Sequence, residues 1–201
     1  VPNFLNYNGY PASVCVSVKE EVVHGIPNKK RVLKDGDIVS LDCGCIYRGY
    51  HSDAARTYAV GSISAEVQQL LDVTKQAFFE GIKMAKAGNH LHDISNAIAD
   101  YCESFGYGVV RDLVGHGIGK NLHEDPQIPN FHQRRRGIKL QKGMTLAIEP
   151  MITMGKKNVK VLADNWTVIT IDKQPSAHYE ETIVITEEGY EILTKDTKEN
   201  N

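Results

Sequence analysis

No stretch of this chain approaches the ~18 consecutive apolar residues of a membrane-spanning helix, and no signal-peptide pattern opens it. Charge of one sign is missing too. Lys and Arg number 23 against 25 Asp and Glu, a formal net charge of -2, which leaves no basic surplus for a nucleic-acid backbone. Cysteine is scarce: Cys15, Cys43, Cys45 and Cys102 lack the paired spacing of a structural zinc site, and Cys43-Gly44-Cys45 alone supplies too few ligands. Without a secretory context they read as reduced thiols in a cytosolic protein. An initiator Met is absent as well, and Val1 stands close to strand-like sequence, so a fragment of a longer chain is expected. The 201 residues, 41% of them apolar, suffice for one sizeable core or two fused half-domains.

One acidic phrase occurs twice. Leu33-Lys34-Asp35-Gly36-Asp37-Ile38-Val39-Ser40-Leu41-Asp42 ends an apolar run in a carboxylate, and Leu140-Gln141-Lys142-Gly143-Met144-Thr145-Leu146-Ala147-Ile148-Glu149 does the same in register. Ile26-Pro27-Asn28 precedes the first copy and Ile128-Pro129-Asn130 the second, each with a histidine nearby, His24 or His123. A carboxylate deep in a strand is costly unless a cation or hydrogen-bond donors hold it. Its recurrence in two repeated units implies a site shared between two halves of a pseudo-symmetric α+β fold.

Period-two alternation predicts a strand at Val14 to Val18, and a largely apolar run predicts another at Ile38 to Ile46. A hairpin about Arg48-Gly49 then brings Asp42 and Asp53 roughly opposite each other, where like charges destabilise a sheet unless something positive sits between them. The middle is helical: Val67, Leu70, Leu71, Thr74, Ala77, Phe78 and Ile82 follow helical spacing after an N-cap at Ser64, with Gly88 placed to stop the helix. Ile94, Ile98, Cys102 and Phe105 form a second stripe closed by Gly106. Strands return at Val109-Val110, Met144 to Ile148, a hairpin around Asp164-Asn165, and Thr182 to Ile185, before a polar tail over 195–201.

Gly115-His116-Gly117-Ile118-Gly119 has the look of a phosphate loop, but the final glycine of a dinucleotide fingerprint is missing and no clear helix follows. Permissive backbone that lets His116 approach a ligand is the better reading. Asp42, Asp53, His116, Glu149 and one of Glu180 and Glu181 make an inventory suited to hard or borderline divalent metals. Strand alternation lets only one of the last two face inward and does not say which. His51, His90, His92, His132 and His178 read as solvated or structural, and Arg134-Arg135-Arg136 as an exposed loop.

Glu21-Val22-Val23-His24-Gly25-Ile26-Pro27, His51-Ser52-Asp53, Gly115 to Gly119, Leu122-His123-Glu124-Asp125-Pro126, Ile148-Glu149-Pro150-Met151 and Tyr179-Glu180 together resemble the methionine aminopeptidases, in their bacterial type I form. The resemblance runs from about Val1 to Thr194, and the short span between His123 and Glu149 favours type I over type II. It implies a pita-bread fold in a single catalytic domain, with halves of about 1–62 and 63–194, and an N-terminal helical segment preceding the position of Val1. It also implies two divalent ions (Co, Mn, Fe or Zn) held by Asp42, Asp53, His116, Glu149 and Glu180, which selects Glu180 over Glu181. Asp53 and Glu180 would bridge, Asp42 would hold one ion, and His116 with Glu149 the other.

By the same resemblance His24 and His123 contact the scissile amide, Glu149 accepts a proton from the nucleophile, and Tyr7, Tyr10, Cys15 and Trp166 wall a methionine pocket. Phe4 stands where some relatives carry a cysteine and Leu122 where an aromatic is common, so both bear on pocket shape. The implied activity is removal of the initiator methionine from nascent polypeptides near the ribosome, by a cytoplasmic monomer that binds neither membrane nor nucleic acid and prefers a small second residue. The rivals are a prolidase-like enzyme acting at Xaa-Pro and a catalytically silent scaffold of the same fold.

Overall fold

The alternating segments near the N-terminus pair into a sheet that curls around one cavity. The computed structural model describes residues 1–195, so the expected tail lies, from residue 196 on, outside the described residues. A 3-10 turn at Tyr7–Gly9 leads into β1 (Cys15–Val18), β2 (Glu21–Val23), β3 (Ile38–Tyr47) and β4 (Tyr50–Ala59). Two helices follow, α1 (Ala65–Ile82) and α2 (Leu91–Ser104). The remaining strands are β5 (Gly108–Val109), β6 (Gly115–Gly117), β7 (Glu124–Ile128), β8 (Thr145–Ile148), β9 (Met151–Thr153), β10 (Val159–Val161), β11 (Val168–Thr170), β12 (Ser176–His178), β13 (Glu180–Ile185) and β14 (Tyr190–Ile192).

The main sheet runs β1-β3-β4-β13-β8-β6-β7, with β14 on β13, and the pairings are antiparallel. Strands from the first and last parts of the chain therefore meet at β4 and β13. Two small sheets, β10-β11-β2 and β12-β9-β5, flank it. This is the antiparallel α+β arrangement that the resemblance implies. Among the described residues no helix is long and apolar enough to cross a membrane.

The β3–β4 hairpin turns at Arg48-Gly49, whose φ values of 51° and 81° are the pair of positive angles that a two-residue hairpin turn requires. Its register corrects one expectation. Asp42 pairs with Ala55 and Asp53 with Gly44, so the two acids are not opposite but diagonal neighbours on one face. Diagonal placement leaves more room between the carboxylates than direct opposition does. It still brings both to the same cavity.

Ser64 caps α1 as its type and position predict, its hydroxyl accepting the Val67 N–H. Gly88 does not end that helix. α1 stops at Ile82, and Gly88, at φ 95°, serves the turn into α2. The stripes of both helices pack with Leu146, Ile148, Ile152 and Ile183 in the larger core cluster, on the sheet face away from the cavity. Phe105 departs from the predicted stripe and is exposed, because α2 already ends at Ser104. A smaller apolar cluster of Phe4, Tyr10, Cys15, Ile118, Leu122 and Ala147 lies on the cavity face.

Candidate metal centre

A row of directly paired residues crosses four strands: Cys15 on β1, Asp42 on β3, Ala55 on β4 and Glu180 on β13. Paired residues share a face, so Asp42 and Glu180 point to the same side, and Asp53, two residues from Ala55, joins them. Glu181 is thereby turned to the opposite face. There it pairs with the Arg56 guanidinium and accepts from the Thr194 hydroxyl, so the alternative that periodicity left open falls to Glu180. The same alternation sends Leu146 and Ile148 toward the helices, leaving Ala147 and Glu149 on the cavity side. His116 on β6 pairs with Ala147 and reaches the acids from the far flank.

These residues open into one cavity of about 400 Å³, lined by Phe4, Tyr7, Tyr10, Cys15, Leu122 and Trp166 on its apolar side and by Asp42, Asp53, His116, Glu149 and Glu180 at its base. His24 and His123 line it too, so the structure brings together all thirteen residues that the sequence pointed to. Close backbone packing is needed beneath the acids. A Cβ at Gly117 would stand 2.2 Å from the Asp125 carbonyl oxygen, and one at Gly44, opposite Asp53, 2.3 Å from that of Ser52.

Four carboxyl groups in so buried a space cannot all ionise unaided. Burial pushes Asp42 up to about 7, although hydrogen bonds with Asp53 and Cys15 act the other way. Burial first, and then neighbouring acids, hold Asp53, Glu149 and Glu180 well above the usual carboxylate range. Burial likewise lowers His116 and His24 to about 4 and lowers His123, so the imidazoles are neutral near pH 7. Asp42 Oδ1 is buried with no hydrogen-bond partner. A cluster of acids that cannot ionise, beside imidazoles that will not protonate, fits a divalent cation and little else.

Local hydrogen bonds prepare individual donors. His116 Nδ1 lies 2.8 Å from the Gly117 carbonyl, which can only accept, so Nδ1 carries the proton and Nε2 keeps its lone pair. That Nε2 is 3.7 Å from Glu149 Oε1. One ligand atom each from Asp53, His116 and Glu180 lie within 4.8 Å of one another, and so do atoms of Asp42, His178 and Glu180. His123 sits at the exposed rim, its Nδ1 2.7 Å from the Tyr7 hydroxyl and its ring 4.2 Å from that of His116. Trp166 meets Tyr10 edge-on at 5.1 Å and stands 6.4 Å from the His24 ring.

His178 stands beside the acids, outside the expected set of site residues. Classed with the solvated or structural histidines, it is only 2% exposed, with Nε2 3.8 Å from both Glu149 Oε2 and Glu180 Oε2. The available signal was its place two residues before Glu180, which period two puts on the same side.

The family model for metallopeptidase family M24 matches residues 3–187. The chain is 57% identical to a methionine aminopeptidase of Clostridium acetobutylicum over 96% of its own length and 78% of that relative's. A methionine aminopeptidase structure from Thermotoga maritima superposes with a TM-score of 0.95 at 52% identity, covering 97% of this chain and 78% of that one. A Pyrococcus horikoshii prolidase superposes less closely, with a TM-score of 0.72 at 27% identity over 90% of this chain and 47% of that one. With this match and this sheet of pita-bread form, the chain belongs to metallopeptidase family M24, in its methionine aminopeptidase branch.

Proposed function

We propose that this chain removes the initiator methionine from nascent polypeptides, using two divalent ions held by Asp42, Asp53, His116, Glu149 and Glu180. The observation that carries the reading is the meeting of four buried carboxyls and the prepared Nε2 of His116 at the base of a half-apolar cavity. Carboxylates can span two ions and imidazole can complete a shell, so Co, Mn, Fe or Zn suits the donor set. Ions bound there lower the pKa of water and stabilise charge developing on the substrate carbonyl.

The chain's own residues supply the rest. Phe4, Tyr7, Tyr10, Cys15, Leu122 and Trp166 enclose an unbranched thioether side chain and exclude water from it. His24 and His123 face the cavity as neutral imidazoles, able to donate to the scissile amide and to pass a proton to the departing amine. Glu149, among the acids that line the cavity, is placed to accept a proton from the nucleophile. The cavity is closed at the acids and open at the His123 rim, which suits an exopeptidase that admits one residue and favours a small second one. The enzyme acts in the cytoplasm as a monomer, on chains emerging near the ribosome.

The test is turnover of Met-Ala-Ser against Xaa-Pro peptides by metal-stripped protein resupplied with Mn, Co, Fe or Zn. Release of methionine is expected. Release of the residue before proline without release of methionine would sink the assignment in favour of the prolidase-like reading, and no turnover with any metal would favour the silent scaffold.

A further inference from the structure

We propose that His178 is a ligand of this centre, giving the ion seated on Asp42 and Glu180 an imidazole that the five-residue set does not provide. The proposal rests on the metal-centre reading above. His178 ends β12, just before β13 brings Glu180 into the cavity. Its backbone is fixed by Thr57, whose hydroxyl accepts the His178 N–H at 2.8 Å and donates to its carbonyl at 2.9 Å. Its ring is fixed by nothing comparable: Nδ1 and Nε2 are both buried without a hydrogen-bond partner. A buried imidazole with two unsatisfied nitrogens calls for a partner, and a cation is one.

The spacing distinguishes coordination from hydrogen bonding. Nε2 stands 3.8 Å from Glu180 Oε2, the acid it would share an ion with, and 3.8 Å from Glu149 Oε2, assigned to the other ion; both are too far for a hydrogen bond. Two donors each about 2.1 Å from one ion lie about 3.4 to 3.8 Å apart at tetrahedral or somewhat wider angles. His116 Nε2 and Glu149 Oε1, at 3.7 Å, show the same spacing. The donor groups Asp53-His116-Glu180 and Asp42-His178-Glu180 share Glu180, so each ion would receive one imidazole and both would reach the Glu180 carboxylate. Imidazole on both ions shifts preference toward Co, Fe and Zn relative to Mn, which favours oxygen donors.

The experiment is calorimetric titration of the metal-stripped full chain with Co(II) and separately with Mn(II), together with the visible absorption of the Co(II) form, for wild type and His178→Ala. Two Co(II) ions are expected for wild type. His178→Ala should keep one ion at wild-type affinity, bind the other at least about tenfold more weakly, alter the Co(II) absorption band, and lose less affinity for Mn(II). Both ions bound by the variant with wild-type affinity and spectrum would overturn the proposal, as would equal weakening of both, the mark of a structural role. Failure of wild type itself to bind Co(II) would instead overturn the metal-centre reading, and this proposal with it. Far-UV circular dichroism checks the fold, and His178→Gln, which keeps bulk without imidazole, takes the place of the Ala variant if that variant unfolds.

Discussion

Replacing Asp42 with asparagine is expected to stabilise the metal-free protein while disabling its metal centre. Burial carries the Asp42 carboxyl from 3.8 to about 7. The folded state therefore holds a proton that the unfolded chain releases, and folding stability falls as pH rises between those two values. At about 1.36 kcal/mol per pH unit, the burden above pH 7 is on the order of 4 kcal/mol. Asparagine occupies nearly the same volume and carries no charge, so the variant escapes this burden. Below pH 3.8 the two proteins should have equal stability, and at pH 8 the variant should be more stable by up to that amount. For a chain of this size, with about 2 to 4 °C per kcal/mol, the midpoint should rise by roughly 8 to 16 °C. The assay is thermal or urea unfolding of chelator-treated protein from about pH 3 to 8. Adding a divalent ion at about a hundredfold over its Kd should return about 2.7 kcal/mol to wild type and much less to the variant. A metal-free variant less stable than wild type at pH 8, or a difference that does not change with pH, would refute the reasoning.

Other expectations follow from the same geometry. Asp53→Asn should abolish turnover while leaving the far-UV circular dichroism unchanged, and activity retained with a full metal complement would contradict a bridging role. Tyr7→Phe removes the hydroxyl that lies 2.7 Å from His123 Nδ1; kcat for Met-Ala-Ser should fall about tenfold or more with KM little changed, as expected when a proton-transfer group loses its positioning partner. Leu122→Phe enlarges a side chain that is 2% exposed in the pocket wall, and should raise KM for methionyl peptides several-fold without altering metal stoichiometry. Ser64→Ala deletes the α1 cap and should cost about 1 kcal/mol in urea unfolding with activity unchanged.

Local chemistry was legible where a residue's type dictates its backbone. The Ser64 cap, the Arg48-Gly49 turn, the glycine after α2 and the alternating strands could all be read from neighbours in the chain. So could the inventory of acids, because carboxylates inside apolar runs are conspicuous before any fold is known. Misplacements arose wherever distance along the chain had to stand for distance in space. Gly88 reads as a helix stop because glycine often is one, whereas α1 ends at Ile82 and the turn toward α2 needs the positive φ.

By itself the sequence determined that two similar phrases each deliver a buried acid, that a metal is the economical explanation, and, through resemblance, which family's chemistry to expect. Only the tertiary structure decided how those donors meet. Register across β3, β4 and β13 put Asp42, Asp53 and Glu180 on one face, made the two aspartates diagonal, and turned Glu181 away to Arg56. It also carried His178 from an unremarkable place in the chain to within 3.8 Å of two acids. The physical reason is that strand alternation specifies sides only in relation to a partner strand, and pairing between distant segments is written in no local pattern.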